Sequence, residues 1–144
     1  MRWPSVSWRS EQGSVSVEVA VIAPAFIFLM LLVVFAGKVS EADGNVERAA
    51  AEGARAASLR QNPGNAATDA RSTVEANLTA AGVTCTSLEA NVDTSDFEPG
   101  GTVTVTVACT ASMADVALLG VPGTRTFTAT ATEVIDTYRS GDGS

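Results

Sequence analysis

An α+β fold is predicted by three successive patterns in the chain: a continuous apolar run, then apolar residues at helical spacing, then strict alternation of period two. The expected order is a long N-terminal helix that begins in a membrane, a second helix, and a three-stranded antiparallel sheet. With 144 residues, 46% of them hydrophobic, the chain has room for one hydrophobic segment and one small domain.

Residues 19–36, VAVIAPAFIFLMLLVVFA, contain neither a charge nor a polar side chain. With the flanking Val15, Val17 and Gly37 the stretch approaches the roughly 20 residues that cross a hydrocarbon core as a helix. Arg2 and Arg9 precede it, and Lys38, Glu41, Asp43 and Glu47 follow it, so the basic bias favours a cytoplasmic N-terminus. The chain after Lys38 is then extracytoplasmic. Pro24, inside the span, removes one helical hydrogen bond, which membrane helices tolerate.

Beyond the span, Ala42, Val46, Ala49, Gly53 and Ala56 form a stripe of small residues at helical spacing, and the helix is expected to continue to about Leu59. Arg48, Glu52 and Arg55 suit the opposite surface to solvated ion pairs. QNPGN, residues 61–65, is a break. A second helix is expected over residues 66–81, with Asn65 as its N-cap, Ala67, Ala70, Val74, Leu78 and Ala81 apolar, and Gly82 ending it.

Three strands follow. TVTVTVAC, residues 102–109, places Val103, Val105, Val107 and Cys109 on one face, and RTFTATA, residues 125–131, turns Phe127, Ala129 and Ala131 inward. The first strand, residues 83–93, changes phase midway, since Val83 and Cys85 are out of step with Leu88, Ala90 and Val92. If Val92 faces Val103, Ala90 faces Val105 and Leu88 faces Val107, the turn falls in FEPGG, residues 97–101. A single bulged residue near Thr86 or Ser87 then brings Cys85 opposite Cys109. The expectation is a cross-strand disulfide formed in an oxidising compartment; the alternative is two buried free cysteines in a cytosolic domain. Residues 112–123, SMADVALLGVPG, carry capping-box-like spacing between Ser112 and Asp115, with Leu118, Leu119 and Val121 either covering the core or forming a partner contact.

Composition limits function. A net charge of −7 opposes nucleic-acid binding, which needs clustered Lys and Arg. The chain has no histidine, and its two cysteines lack a CxxC companion, so zinc sites and histidine-based acid/base chemistry lose their usual groups. The expectation is a protein that is not an enzyme, with no cofactor and no metal. Asp93, Asp96 and Glu98 are too loosely spaced to assert a calcium site.

Glu18 stands at the mouth of the apolar run, five positions after Gly13. A carboxylate there needs a partner or an exit to water. A secretory signal peptide cleaved near Val34-Phe35-Ala36 is one reading, although the apolar run is longer than the usual h-region and Glu11 and Glu18 precede or enter it. A plain signal anchor is another, and either leaves Gly13 without a role. GSVSVEVAVIAP instead resembles the type IV prepilin signature, and G-S-x-x-V-E-x-A-x-x-x-P before an apolar run is similar to the TadE family, minor pseudopilins of tight-adherence (Flp, type IVb) pili. The resemblance is expected to span essentially the full chain, including TFTATATEVID, residues 126–136. One departure is Ser14, where many type IV pilins carry Phe or Met.

The resemblance implies cleavage between Gly13 and Ser14, a cytoplasmic leader of residues 1–13, a membrane helix of residues 14–37, its extracytoplasmic continuation over residues 38–60, and a small extracytoplasmic domain of residues 65–140. It implies a structural role in pilus assembly at the cytoplasmic (inner) membrane. The implied partners are a prepilin peptidase, other pseudopilins, the major Flp pilin, the inner-membrane platform with its ATPase, and membrane lipid. Glu18, with Pro24, is then an assembly residue, its carboxylate neutralising the new amino group of a neighbouring subunit. The alternatives are a membrane-anchored extracytoplasmic binding module that never polymerises and a minor pseudopilin of a type II secretion machine.

Overall fold

A computed structural model describes residues 12–112 and 123–138. Its elements are α1 (Gln12–Ser58), α2 (Pro63–Ala80), β1 (Cys85–Asp96), β2 (Thr102–Ser112) and β3 (Thr124–Val134). The strands form one antiparallel sheet in the order β1-β2-β3. The α+β expectation therefore holds; β2 and β3 run past their predicted ends, while β1 begins at Cys85, two residues later than expected, and continues past Asp93 to Asp96. The chain divides into two units at the boundary between Gly37 and Lys38.

In the second unit, α1 buries Val46, Ala49, Ala50, Gly53, Ala54 and Ala57. This band is wider than the expected stripe, because the adjacent residues Ala49 and Ala50, and Gly53 and Ala54, all face inward, while Ala42 and Ala56 fall to its margins. Small side chains allow close approach: a Cβ built on Gly53 would lie 2.8 Å from Val74 Cγ2 of α2 and 3.5 Å from Val105 Cγ1 of β2. The expected ion pairs of Arg48, Glu52 and Arg55 do not form; among the described residues the pair that does is Arg60 with Asp69, across the turn between the helices.

The start of α2 corrects the predicted cap. Asn62, not Asn65, is the N-cap, its side chain accepting from the backbone N–H groups of Gly64 at 2.8 Å and Asn65 at 3.4 Å. The reason is Pro63, whose fixed φ suits the first helical position and whose missing N–H costs nothing there. The buried face is Ala66, Ala70, Val74 and Leu78, spaced by four; Ala67 is only half-buried and Ala81 is exposed. Gly82 ends the helix as expected, at φ +71°, while the Val83 N–H bonds the Leu78 carbonyl at 2.9 Å.

Helices and sheet share one core with Val103, Val105, Val107, Cys109, Phe127 and Ala129. The register of β1 against β2 differs from the predicted one by two residues: Val92 pairs with Val105, Ala90 with Val107 and Leu88 with Cys109. Pairing continues to Asp96 and Thr102, so the whole of FEPGG lies in the loop and the hairpin axis moves with it. Asp96 accepts the Thr102 N–H at 3.2 Å, and a side chain at Gly101 would collide with the Asp96 carbonyl. Beyond β3, Ile135 is fully buried and clamps this loop, donating to the Gly101 carbonyl at 2.9 Å and accepting from the Gly100 N–H at 3.0 Å.

Candidate functional site: the N-terminal apolar segment and the C-terminal unit

The apolar part of α1 is long enough and apolar enough to cross a membrane, and none of it is buried within the protein. Val17, Phe26, Phe28 and Leu32 all present more than half of their surface. Exposed hydrocarbon on this scale needs lipid or other apolar helices to cover it. Pro24 lies within the continuous helix, as expected.

Gly13 and Ser14 fall in the first turn of α1, and Glu18 follows four residues after Ser14. At 3.6 residues per turn that spacing returns Glu18 to nearly the same side of the helix as Ser14, roughly 6 Å along the axis. Glu18 is exposed, and among the described residues no cation pairs with it. Among the described residues, Glu18 is thus an unpaired carboxylate at the entrance of the apolar run.

The two cysteines are brought together. Cys85 and Cys109 form a disulfide with Cα atoms 5.4 Å apart. The bulge that makes this work lies where the phase change placed it, between Cys85 and Ser87, but the geometry is diagonal: Cys85 pairs with Ala111, and Cys109 sits opposite Leu88. Cys109 is fully buried under the helices, so the bond ties the hairpin at the core.

The acidic residues of the first hairpin hold turns. Asp93 accepts the Ser95 N–H at 3.0 Å, and bonds from the Ser95 backbone and hydroxyl hold its carboxyl below the usual carboxylate range. Asp96 is occupied with Thr102. Leu118, Leu119 and Val121 lie outside the described residues, as does Asp115 of the expected capping box.

A feature that sequence reading passed over is the outer face of the sheet. Thr104, Thr106 and Thr110 of β2 bond across to Thr132, Thr130 and Thr126 of β3, hydroxyl to hydroxyl, at 2.9, 3.1 and 2.9 Å. The alternating threonines had marked only a solvated face; the ladder required the register.

Residues 13–55 match the family model described as TadE-like protein. No curated protein and no solved structure matches the chain. The match begins at Gly13, includes Glu18 and the whole apolar run, and ends in the buried band of α1. The likeness read from GSVSVEVAVIAP is thus matched over residues 13–55, where this chain carries a TadE-like segment; the likeness expected of the rest of the chain, including TFTATATEVID, lies outside the match.

Proposed function

We propose that the protein is a minor pseudopilin, a structural component in the assembly of a tight-adherence (Flp, type IVb) pilus or a related secretion apparatus. The observation that carries this reading is a lone exposed carboxylate, Glu18, at the mouth of an unburied apolar helix five residues after Gly13, inside the TadE-like segment. Cleavage after Gly13 creates an α-amino group on Ser14. That amine and the Glu18 carboxylate of an adjoining pilin-like subunit neutralise each other, offsetting the cost of either charge in a hydrocarbon setting. A staggered contact of this kind is heterologous and propagates.

The C-terminal unit is extracytoplasmic in this reading, supported by the disulfide, which belongs to an oxidising compartment, and by the basic residues Arg2 and Arg9 before the span. The role is structural and not catalytic. Its partners are a prepilin peptidase, companion pseudopilins and the major pilin, the membrane platform with its ATPase, and lipid.

N-terminal sequencing of the protein from its own membrane tests the reading. Ser14 as first residue is expected; Gly37 identifies a signal peptide, and Met1 with normal fibres overturns the scheme. Glu18→Ala is expected to abolish co-purification with partner pilins while leaving membrane insertion intact. Unchanged co-purification refutes the role of Glu18.

A further inference from the structure

The two edges of the sheet differ. β1 is interrupted by register shifts between Cys85 and Ser87 and between Asp93 and Asp96. It carries Glu89, Asp93 and Asp96, and its Ala90 carbonyl accepts from Arg71 Nε of α2 at 3.2 Å. Bulges, charges and a covering side chain are the means by which sheets protect an edge from further pairing. Among the described residues β3 has no such protection along its length. Its 11 residues pair with β2 without a shift, it contains no proline, and its two charges, Arg125 and Glu133, stand near opposite ends. Among the described residues nothing except β2 hydrogen-bonds to its backbone.

We infer that this edge is a self-association surface, on which β3 pairs antiparallel with β3 of a second copy about a two-fold axis at Ala129. Charge complementarity selects the occupant and the register together. Only an axis at Ala129 sets Arg125 opposite Glu133 of the second copy, and by symmetry it does so twice. The same register sets Thr124 opposite Val134, so every residue of β3 acquires a partner. On the outer face it places Thr126 against Thr132 and Thr128 against Thr130, extending the hydroxyl ladder already formed with β2. Thr128 is the gap in that ladder: it faces Ala108, and among the described residues its hydroxyl has no partner. The second copy supplies one. Arg125 is exposed, 5.5 Å above the Phe127 ring, free at its outer end to meet a carboxylate.

The contact is isologous and closes on itself as a six-stranded sheet, unlike the propagating contact proposed at Glu18. It stands or falls without reference to cleavage at Gly13. The test uses two differently tagged full-length copies co-expressed in membranes, one Thr128→Cys and the other Thr130→Cys, both on the exposed face. Oxidative cross-linking is expected to join the two tags efficiently, whereas a Thr126→Cys copy with a Thr128→Cys copy, out of register, joins poorly. Arg125→Glu alone, or Glu133→Arg alone, is expected to weaken dimerisation by about tenfold, since each turns two cross-strand attractions into repulsions. The double exchange Arg125→Glu with Glu133→Arg restores it. Equal cross-linking in matched and mismatched pairs, a monomeric wild-type chain, a different protein captured at position 128, or a double exchange as weak as the singles each overturns the inference.

Discussion

Two glycines of α1, Gly44 and Gly53, look alike in sequence but occupy different surroundings. On helix propensity, replacing either by alanine stabilises by up to about 1 kcal/mol. At Gly44 a Cβ meets nothing within 4 Å, so Gly44→Ala keeps that gain. At Gly53 the new methyl would lie 2.8 Å from Val74 Cγ2 and 3.3 Å from the Ala70 carbonyl oxygen. Val74 is fully buried and β-branched, and the carbonyl belongs to helix backbone, so α2 itself must shift. Overpacking of this kind costs about 1–3 kcal/mol, which matches or exceeds the propensity gain. Gly53→Ala should therefore unfold at lower urea than Gly44→Ala, by a difference of about 1–3 kcal/mol. The measurement is urea unfolding of the full-length chain in detergent micelles, followed by circular dichroism and by hydrogen exchange of the β2 amides. Adding Val74→Ala removes the colliding methyls, and the pair should show a favourable coupling of about 1 kcal/mol in a double-mutant cycle. Gly53→Ala as stable as Gly44→Ala would refute the close approach of α1 and α2.

Three further outcomes are expected. Replacing Cys85 and Cys109 together by serine, or reducing them, should cost about 3 kcal/mol through the lost cross-link over a separation of 24 residues, read as a shift of the urea midpoint. Asn62→Ala should cost about 1 kcal/mol as a lost N-cap, whereas Asn65→Ala, past the cap, should be within a few tenths. The Asp93 carboxyl, lowered in the folded state, contributes stability above its unfolded pKa and loses it as pH falls through the folded value; NMR titration should find its midpoint below the usual carboxylate range, and Ser95→Ala should raise it.

Much of this molecule was readable in advance because each element's environment is written in its own spacing. The apolar run, the small-residue band around Ala49 and Gly53, and the alternation of Val103, Val105 and Val107 named helix, helix and strand correctly. The phase change before Leu88 marked a bulge, and the bulge marked a disulfide. Gly13 and Glu18 were conspicuous for a similar reason: a charge beside an uninterrupted apolar run stands out without any neighbour in view.

Periodicity determines which face of a segment is apolar, since that depends on residues a few positions apart on one backbone. It left open the two-residue displacement of the first hairpin, the cap at Asn62, the difference between Gly44 and Gly53, the threonine ladder and the contrast between the two sheet edges. Each depends on how segments distant in the chain come within a few ångströms, or on how a turn shares its hydrogen bonds. Sliding a strand by two residues preserves its inward and outward faces, so the hydrophobic pattern is blind to that displacement. The loop geometry around Asp96, Gly100 and Gly101, clamped by Ile135, chooses among the registers that the pattern allows.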